Sequence, residues 1–178
     1  MQIRKVVLVV LLIILVASFN LSARPNKNIA LGFQVGAFAT GPVVDIPLGP
    51  LALNVGVNYP LLIGWIKTIS DMDSDLFKSV FFLSGDLTYP IALGEQFDLK
   101  LGVSTLAGTD FKNLMVGTVG VTAKGEYWIP NKNVGLFMHM DVPIGLYAIS
   151  ETESAFGVGA EVPLLGILTT SAGVLWAF

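Results

Sequence analysis

The stretch FDLKLGVST, residues 97–105, decides how the rest of the chain is read. Phe97, Leu99, Leu101 and Val103 alternate with Asp98, Lys100, Gly102 and Ser104. A period of two places alternate side chains on opposite faces of an extended strand. One face is bulky and apolar. The other is small or charged.

The same alternation recurs on both sides of it. In NIALGFQVGA (28–37), Ile29, Leu31, Phe33, Val35 and Ala37 oppose Ala30, Gly32, Gln34 and Gly36. In LALNVGVNY (51–59), Leu51, Leu53, Val55, Val57 and Tyr59 oppose Ala52, Asn54, Gly56 and Asn58. Met138, Met140 and Val142 alternate with His139 and Asp141, and Phe156, Val158, Ala160 and Val162 with Gly157, Gly159 and Glu161. The chain closes on SAGVLWAF, in which Ala172, Val174, Trp176 and Phe178 share one face. The pattern predicts eight strands, over approximately 29–46, 50–65, 78–91, 96–108, 114–129, 133–148, 154–163 and 167–178. The first is long, and Gly41-Pro42 is expected to break or bulge it. Asp45 has changed parity relative to Ile29, as one inserted residue would produce.

Four connections share an apolar residue followed by proline: IPLGP (46–50), YPIALGE (89–95), IPNKN (129–133) and VPLLG (162–166). Proline donates nothing to a strand ladder and suits a strand end, and glycine or asparagine supplies the turn. The intervening connections, KTISDMDSD (67–75), GTDFKN (108–113) and SETES (150–154), are more polar. The acidic DMDSD reads as a solvated loop, because the glycine and glutamate of a calcium loop are absent.

The 178-residue chain is 53% hydrophobic and 13% charged, with mean hydropathy +0.73. A soluble domain carries roughly 25% charged residues. One long apolar run exists, Val6 to Phe19, preceded by Arg4-Lys5 and followed by the small-residue stretch NLSA (20–23). This is the pattern of a secretory signal peptide, with cleavage expected after Ala23. The alternative is an uncleaved anchor, for which the run is short. Residues 24–178 then form a single domain. Loss of Arg4 and Lys5 leaves 8 basic against 13 acidic residues, a formal charge of −5. That balance speaks against a nucleic-acid partner. With no cysteine, the domain has no disulfides.

The face opposite the bulky residues is mainly Gly, Ala, Ser, Thr and Asn, with few charges. It makes a poor water-facing surface for a soluble protein. It suits the interior of a small barrel, with the apolar face toward lipid. A sheet in lipid must close, because unpaired backbone groups are costly there. Aromatic residues near strand ends (Tyr59, Trp65, Tyr89, Tyr127, Trp128, Tyr147, Trp176 and Phe178) are expected to form interfacial girdles.

Together, the leader, the alternating strands, the proline-started turns and the terminal Trp-Ala-Phe resemble a small bacterial outer-membrane β-barrel. DLTYPIALGEQFDLKLGVST (86–105) is similar to a strand–turn–strand of the outer-membrane protein A type membrane domain. The resemblance implies an all-β fold, a closed antiparallel up-and-down barrel of about eight strands. It also implies that Val174, Trp176 and Phe178 form the C-terminal signal read by the barrel-assembly machinery. One departure stands out. Eight strands counted from residue 29 put the short proline turns at the end opposite the termini, whereas the class keeps short turns on the periplasmic side with them; either the strand count differs or the external connections are short, and the sidedness stays open.

The inward face is expected to collect Asp86, Asp98, Lys100, Lys124, Glu126, His139, Asp141 and Glu161 as a paired network, with Lys100 and Lys124 bracketed by carboxylates. An eight-stranded barrel leaves room for little beyond its own side chains, so no open pore is expected. No serine motif accompanies His139 and Asp141, so no catalytic site is expected, and no cofactor either. One histidine without cysteine also leaves a transition-metal site unexpected. The expected function is an integral outer-membrane barrel with a structural or envelope-interaction role. The alternatives are a narrow channel or small-ligand barrel, a lipid-modifying enzyme around His139, and a soluble lipocalin-like barrel with its apolar side inward.

Overall fold

A computed structural model describes residues 23–24, 28–61, 81–109, 114–150, 153–158 and 169–178. Residues 1–22 of the expected leader, Trp65, the DMDSD loop, the VPLLG turn and Glu161 lie outside the described residues, whereas Ala23, the last residue of that expected leader, is described. Among the described residues, no helix is long and apolar enough to cross a membrane.

The described residues form nine strands in chain order: β1 (Ala30–Gly36), β2 (Gly41–Leu48), β3 (Leu51–Asn58), β4 (Phe81–Ala92), β5 (Phe97–Thr109), β6 (Leu114–Trp128), β7 (Val134–Ser150), β8 (Ser154–Val158) and β9 (Ser171–Ala177). Each strand from β1 to β7 pairs antiparallel with the next. β9 pairs with β7 on one side and with β1 on the other, which closes the ring. β8 pairs with Gly145–Ile149 of β7, and β9 with Val134–His139 of the same strand. β8 and β9 therefore share one stave. The result is a closed, eight-stave, antiparallel up-and-down barrel, the fold that the alternation implies.

The count of eight is reached by a different route from the one the sequence suggests. The segment expected as one strand over 29–46 is a hairpin. β1 reverses through residues 37–40, so that Phe33 faces Pro42 and Ala30 faces Asp45. The Thr40 hydroxyl stitches the turn, accepting from Gly36 N–H at 3.1 Å and donating to Gly36 O at 2.8 Å. Asp45 changes parity because the chain turns back, not because a residue is inserted. At the other end, the two strands expected over 154–163 and 167–178 contribute to one stave. The two differences cancel in the number.

They do not cancel in sidedness. With β1 and β2 separated, IPLGP, YPIALGE and IPNKN all lie at the end of the barrel where β1 begins and β9 finishes. The sidedness that the sequence left open is resolved by the strand count: the extra reversal at residues 37–40 moves these turns to that end. Two of these turns use left-handed backbone, at Gly49 (φ 65°) and at Asn131 (φ 59°), a conformation that glycine and asparagine tolerate best.

Alternation sorts the side chains onto two surfaces. Leu31, Phe33, Val55, Val57, Leu87, Leu101, Val103, Met138, Met140 and Trp176 are exposed on the outer wall. Gln34, Asp45, Asn54, Asn58, Asp86, Thr88, Lys100, Lys124 and His139 are buried within. A small apolar group, Ala30, Val43, Trp128, Phe137, Leu175 and Ala177, closes the end where β1 begins and β9 finishes, with Ala23 packed against it. Trp128 belongs to this inner group at 2% exposure and is not part of an outer aromatic girdle. Its even-numbered parity on β6 matches that of Lys124 and Glu126, which also point inward.

Candidate functional site

The barrel interior holds nine ionisable side chains among the described residues, arranged in two groups. The first lies toward the terminal end. β5 and β6 pair so that Lys100 faces Lys124 and Asp98 faces Glu126. Like charges directly opposite repel. The strands relieve this diagonally, and a carboxylate from β2 completes the relief. Lys100 Nζ lies 2.7 Å from Glu126 Oε1 and 2.9 Å from Asp45 Oδ2. Lys124 Nζ lies 2.9 Å and 3.0 Å from the same two atoms. Both lysines are thus held between the same two carboxylates.

A third cation enters from outside the strands. The Arg24 guanidinium pairs closely with Asp45 and lies 3.6 Å from Glu126 Oε2. It also donates to Asn28 O at 3.1 Å and stacks over the Trp128 ring at 5.3 Å. The neighbouring Ala23 N–H donates to Asp98 Oδ1 at 2.7 Å. The group holds Arg24, Lys100 and Lys124 against Asp45, Asp98 and Glu126, and its charges balance. Sequence parity already places Asp98, Lys100, Lys124 and Glu126 here. It does not place Arg24, which no strand carries, or rank Asp45, whose strand is misassigned. A lone arginine just ahead of the first strand is the signal that was available.

The second group lies farther into the barrel. Asp86 comes from β4, Thr122 from β6, and His139 and Asp141 from β7. His139 Nε2 is 2.7 Å from Thr122 Oγ1, 3.2 Å from Asp141 Oδ1 and 3.4 Å from Asp86 Oδ2. All three ionisable residues are buried. In a nucleophile–histidine–acid triad, the acid holds Nδ1 while Nε2 faces the nucleophile. Here the hydroxyl and both acids crowd the same nitrogen. Beyond this group runs a neutral chain: Ser171 Oγ donates to Gln34 Oε1 (3.2 Å), Gln34 Nε2 to Asn58 Oδ1 (2.8 Å) and Asn58 Nδ2 to Ser84 Oγ (2.9 Å). It joins β9, β1, β3 and β4 across the interior.

On β9, Trp176 and Phe178 are 46% and 66% exposed on the outer wall, on the same side of the strand as Val174. Phe178 N–H donates to Ile29 O at 3.2 Å, so the chain end is paired. No family model matches the sequence, and comparison with curated proteins and with solved structures finds no match.

Proposed function

We propose that this protein is an integral outer-membrane β-barrel with a structural or envelope-interaction role and no open pore. The observation that carries the reading is the inverted distribution of side chains. The apolar residues form the outer wall, and the charged ones fill the inside. On β7 the outward apolar series runs from Leu136 to Leu146 through Met138, Met140, Val142 and Ile144. Ten residue steps at about 3.3 Å, tilted by about 40°, make a band about 25 Å tall, the height of an outer-membrane barrel's apolar belt. Contact with lipid gives this wall a partner. In water it would be a large exposed apolar surface, a form that soluble monomers avoid.

Two further features agree. The three described proline turns lie at the end where β1 begins and β9 finishes, as short periplasmic turns do in this class. The outward Val174, Trp176 and Phe178 suit a terminal strand presented to the assembly machinery before closure. The packed Arg24–Lys100–Lys124 cluster supports a filled interior over a conducting one. The crowding of Thr122, Asp86 and Asp141 on one histidine nitrogen favours a non-enzymatic role over a hydrolase.

The test is gel mobility of the mature chain, folded in detergent micelles and run in SDS with and without boiling. A closed barrel in detergent resists SDS when cold and shifts on heating. A chain that stays folded and monomeric in water without detergent, and shows no shift, would refute the proposal.

A further inference from the structure

We infer that Asp86, His139 and Asp141 form a binding site for a divalent first-row transition-metal ion inside the barrel. One histidine and no cysteine left a metal site unexpected from the sequence, and Asp86 is more than fifty residues from the other two. The closed sheet removes that separation: β4 and β7 face each other across a narrow interior. One ligand atom from each residue lies within 4.8 Å of the other two, and all three side chains are buried.

Two independent observations point to a cation. The first is a shortage of donors. One imidazole nitrogen faces three oxygens, at 2.7, 3.2 and 3.4 Å, and a single N–H satisfies only one. Asp141 Oδ1, in a residue only 8% exposed, has His139 Nε2 at 3.2 Å but no well-aligned hydrogen bond. A buried carboxylate oxygen without a well-aligned donor is costly. The second is charge. The Arg24–Lys100–Lys124 group is neutral as a set, so among the described residues the interior carries the two charges of Asp86 and Asp141 in excess when His139 is neutral. A dication cancels both, and the Nε2 lone pair then points at the metal instead of competing for a proton.

The donor set selects the class. Two hard carboxylates with one borderline imidazole suit zinc, manganese or ferrous iron, and offer no soft ligand for cuprous copper. Three protein ligands leave a coordination position for water, beside the Thr122 hydroxyl. The site depends on the barrel interior and not on what surrounds the wall, so its failure would leave the membrane reading standing.

The experiment uses untagged mature protein refolded in detergent micelles, stripped with chelator and titrated with zinc by calorimetry, and also refolded with zinc present and assayed for retained metal. One zinc per barrel is expected. Since the chain contains a single histidine, an imidazole shell in the X-ray absorption spectrum of the bound zinc must come from His139. His139→Ala and Asp141→Asn are expected to weaken binding by 100-fold or more, as second variants to the unaltered protein's own result. The exposed Glu95→Gln is expected to leave it unchanged. Absence of stoichiometric zinc by both loading routes would overturn the proposal. So would bound zinc whose spectrum lacks imidazole, or binding undiminished in folded variants.

Discussion

Replacing Asp45 by asparagine removes the carboxylate on which three cations converge. Lys100 and Lys124 approach its Oδ2 at 2.9 and 3.0 Å, and Arg24 pairs with Oδ1. At an effective dielectric constant of about 20, each lysine contact corresponds to about 6 kcal/mol of gross attraction. Burying the ions offsets most of that. What the variant leaves behind is an interior group with three positive charges and two negative ones. Breaking a buried ion pair from one side costs about 3–5 kcal/mol. The asparagine amide still accepts one hydrogen bond, which places Asp45→Asn near 3 kcal/mol, about two orders of magnitude in the folding equilibrium. The assay is equilibrium urea unfolding of the barrel in micelles, followed by tryptophan fluorescence, with Glu95→Gln as the control. Adding Lys124→Met to Asp45→Asn restores charge balance and is expected to recover at least half the loss. A single-variant loss below about 1 kcal/mol would mean that water already solvates these ions, and would refute the dry cluster.

Three more outcomes are expected. In single-tryptophan variants reconstituted in lipids with brominated acyl chains, Trp176 is expected to be quenched and Trp128 spared; equal quenching would contradict the opposite facing of the two rings. Gly102→Ala is expected to destabilise the barrel by about 1–3 kcal/mol in the same unfolding assay, because an added methyl overlaps the Leu87 carbonyl and comes within 2.7 Å of Thr88 Cα; a neutral result would show that β4 and β5 part easily. In planar bilayers the unaltered protein is expected to give no discrete conductance steps, and regular steps abolished by Lys100→Ala would argue for a channel.

Strand periodicity carried most of the fold. The face of each residue on β3, β5 and β9 follows from parity alone, because one face of the sheet is bulky and the other small. The β1–β2 reversal was illegible for a physical reason. Its turn is short, and Gly36, Ala37 and Ala39 continue the small, apolar composition of the strands on either side. A parity change at Asp45 was visible, but a bulge and a hairpin both produce one. The interior charges on β4 to β7 were legible residue by residue. Their grouping was not, since Asp45, Lys100 and Glu126 meet only once the sheet has closed. The same holds for Asp86 beside His139. Trp128 was misread because a tryptophan at a strand end resembles an interfacial residue unless its parity is weighed against Lys124 and Glu126.

The seam between β1 and β9 has a consequence for timing. Seven residue pairs, from Ala30 opposite Ala177 to Gly36 opposite Ser171, join the first strand to the last. Until residues 171–177 are available, β1 has one unpaired edge and the lower half of β7 has another. Contacts this distant along the chain bring a large loop-closure cost before they return anything, so closure is slow. Once the seam is shut, β1 and the Val134–His139 half of β7 are paired on both sides and no longer offer an edge from which to fray. A chain without residues 171–177 is therefore not a slightly weaker barrel but an open sheet with two sticky margins. β9 is the strand on which closure of the ring waits.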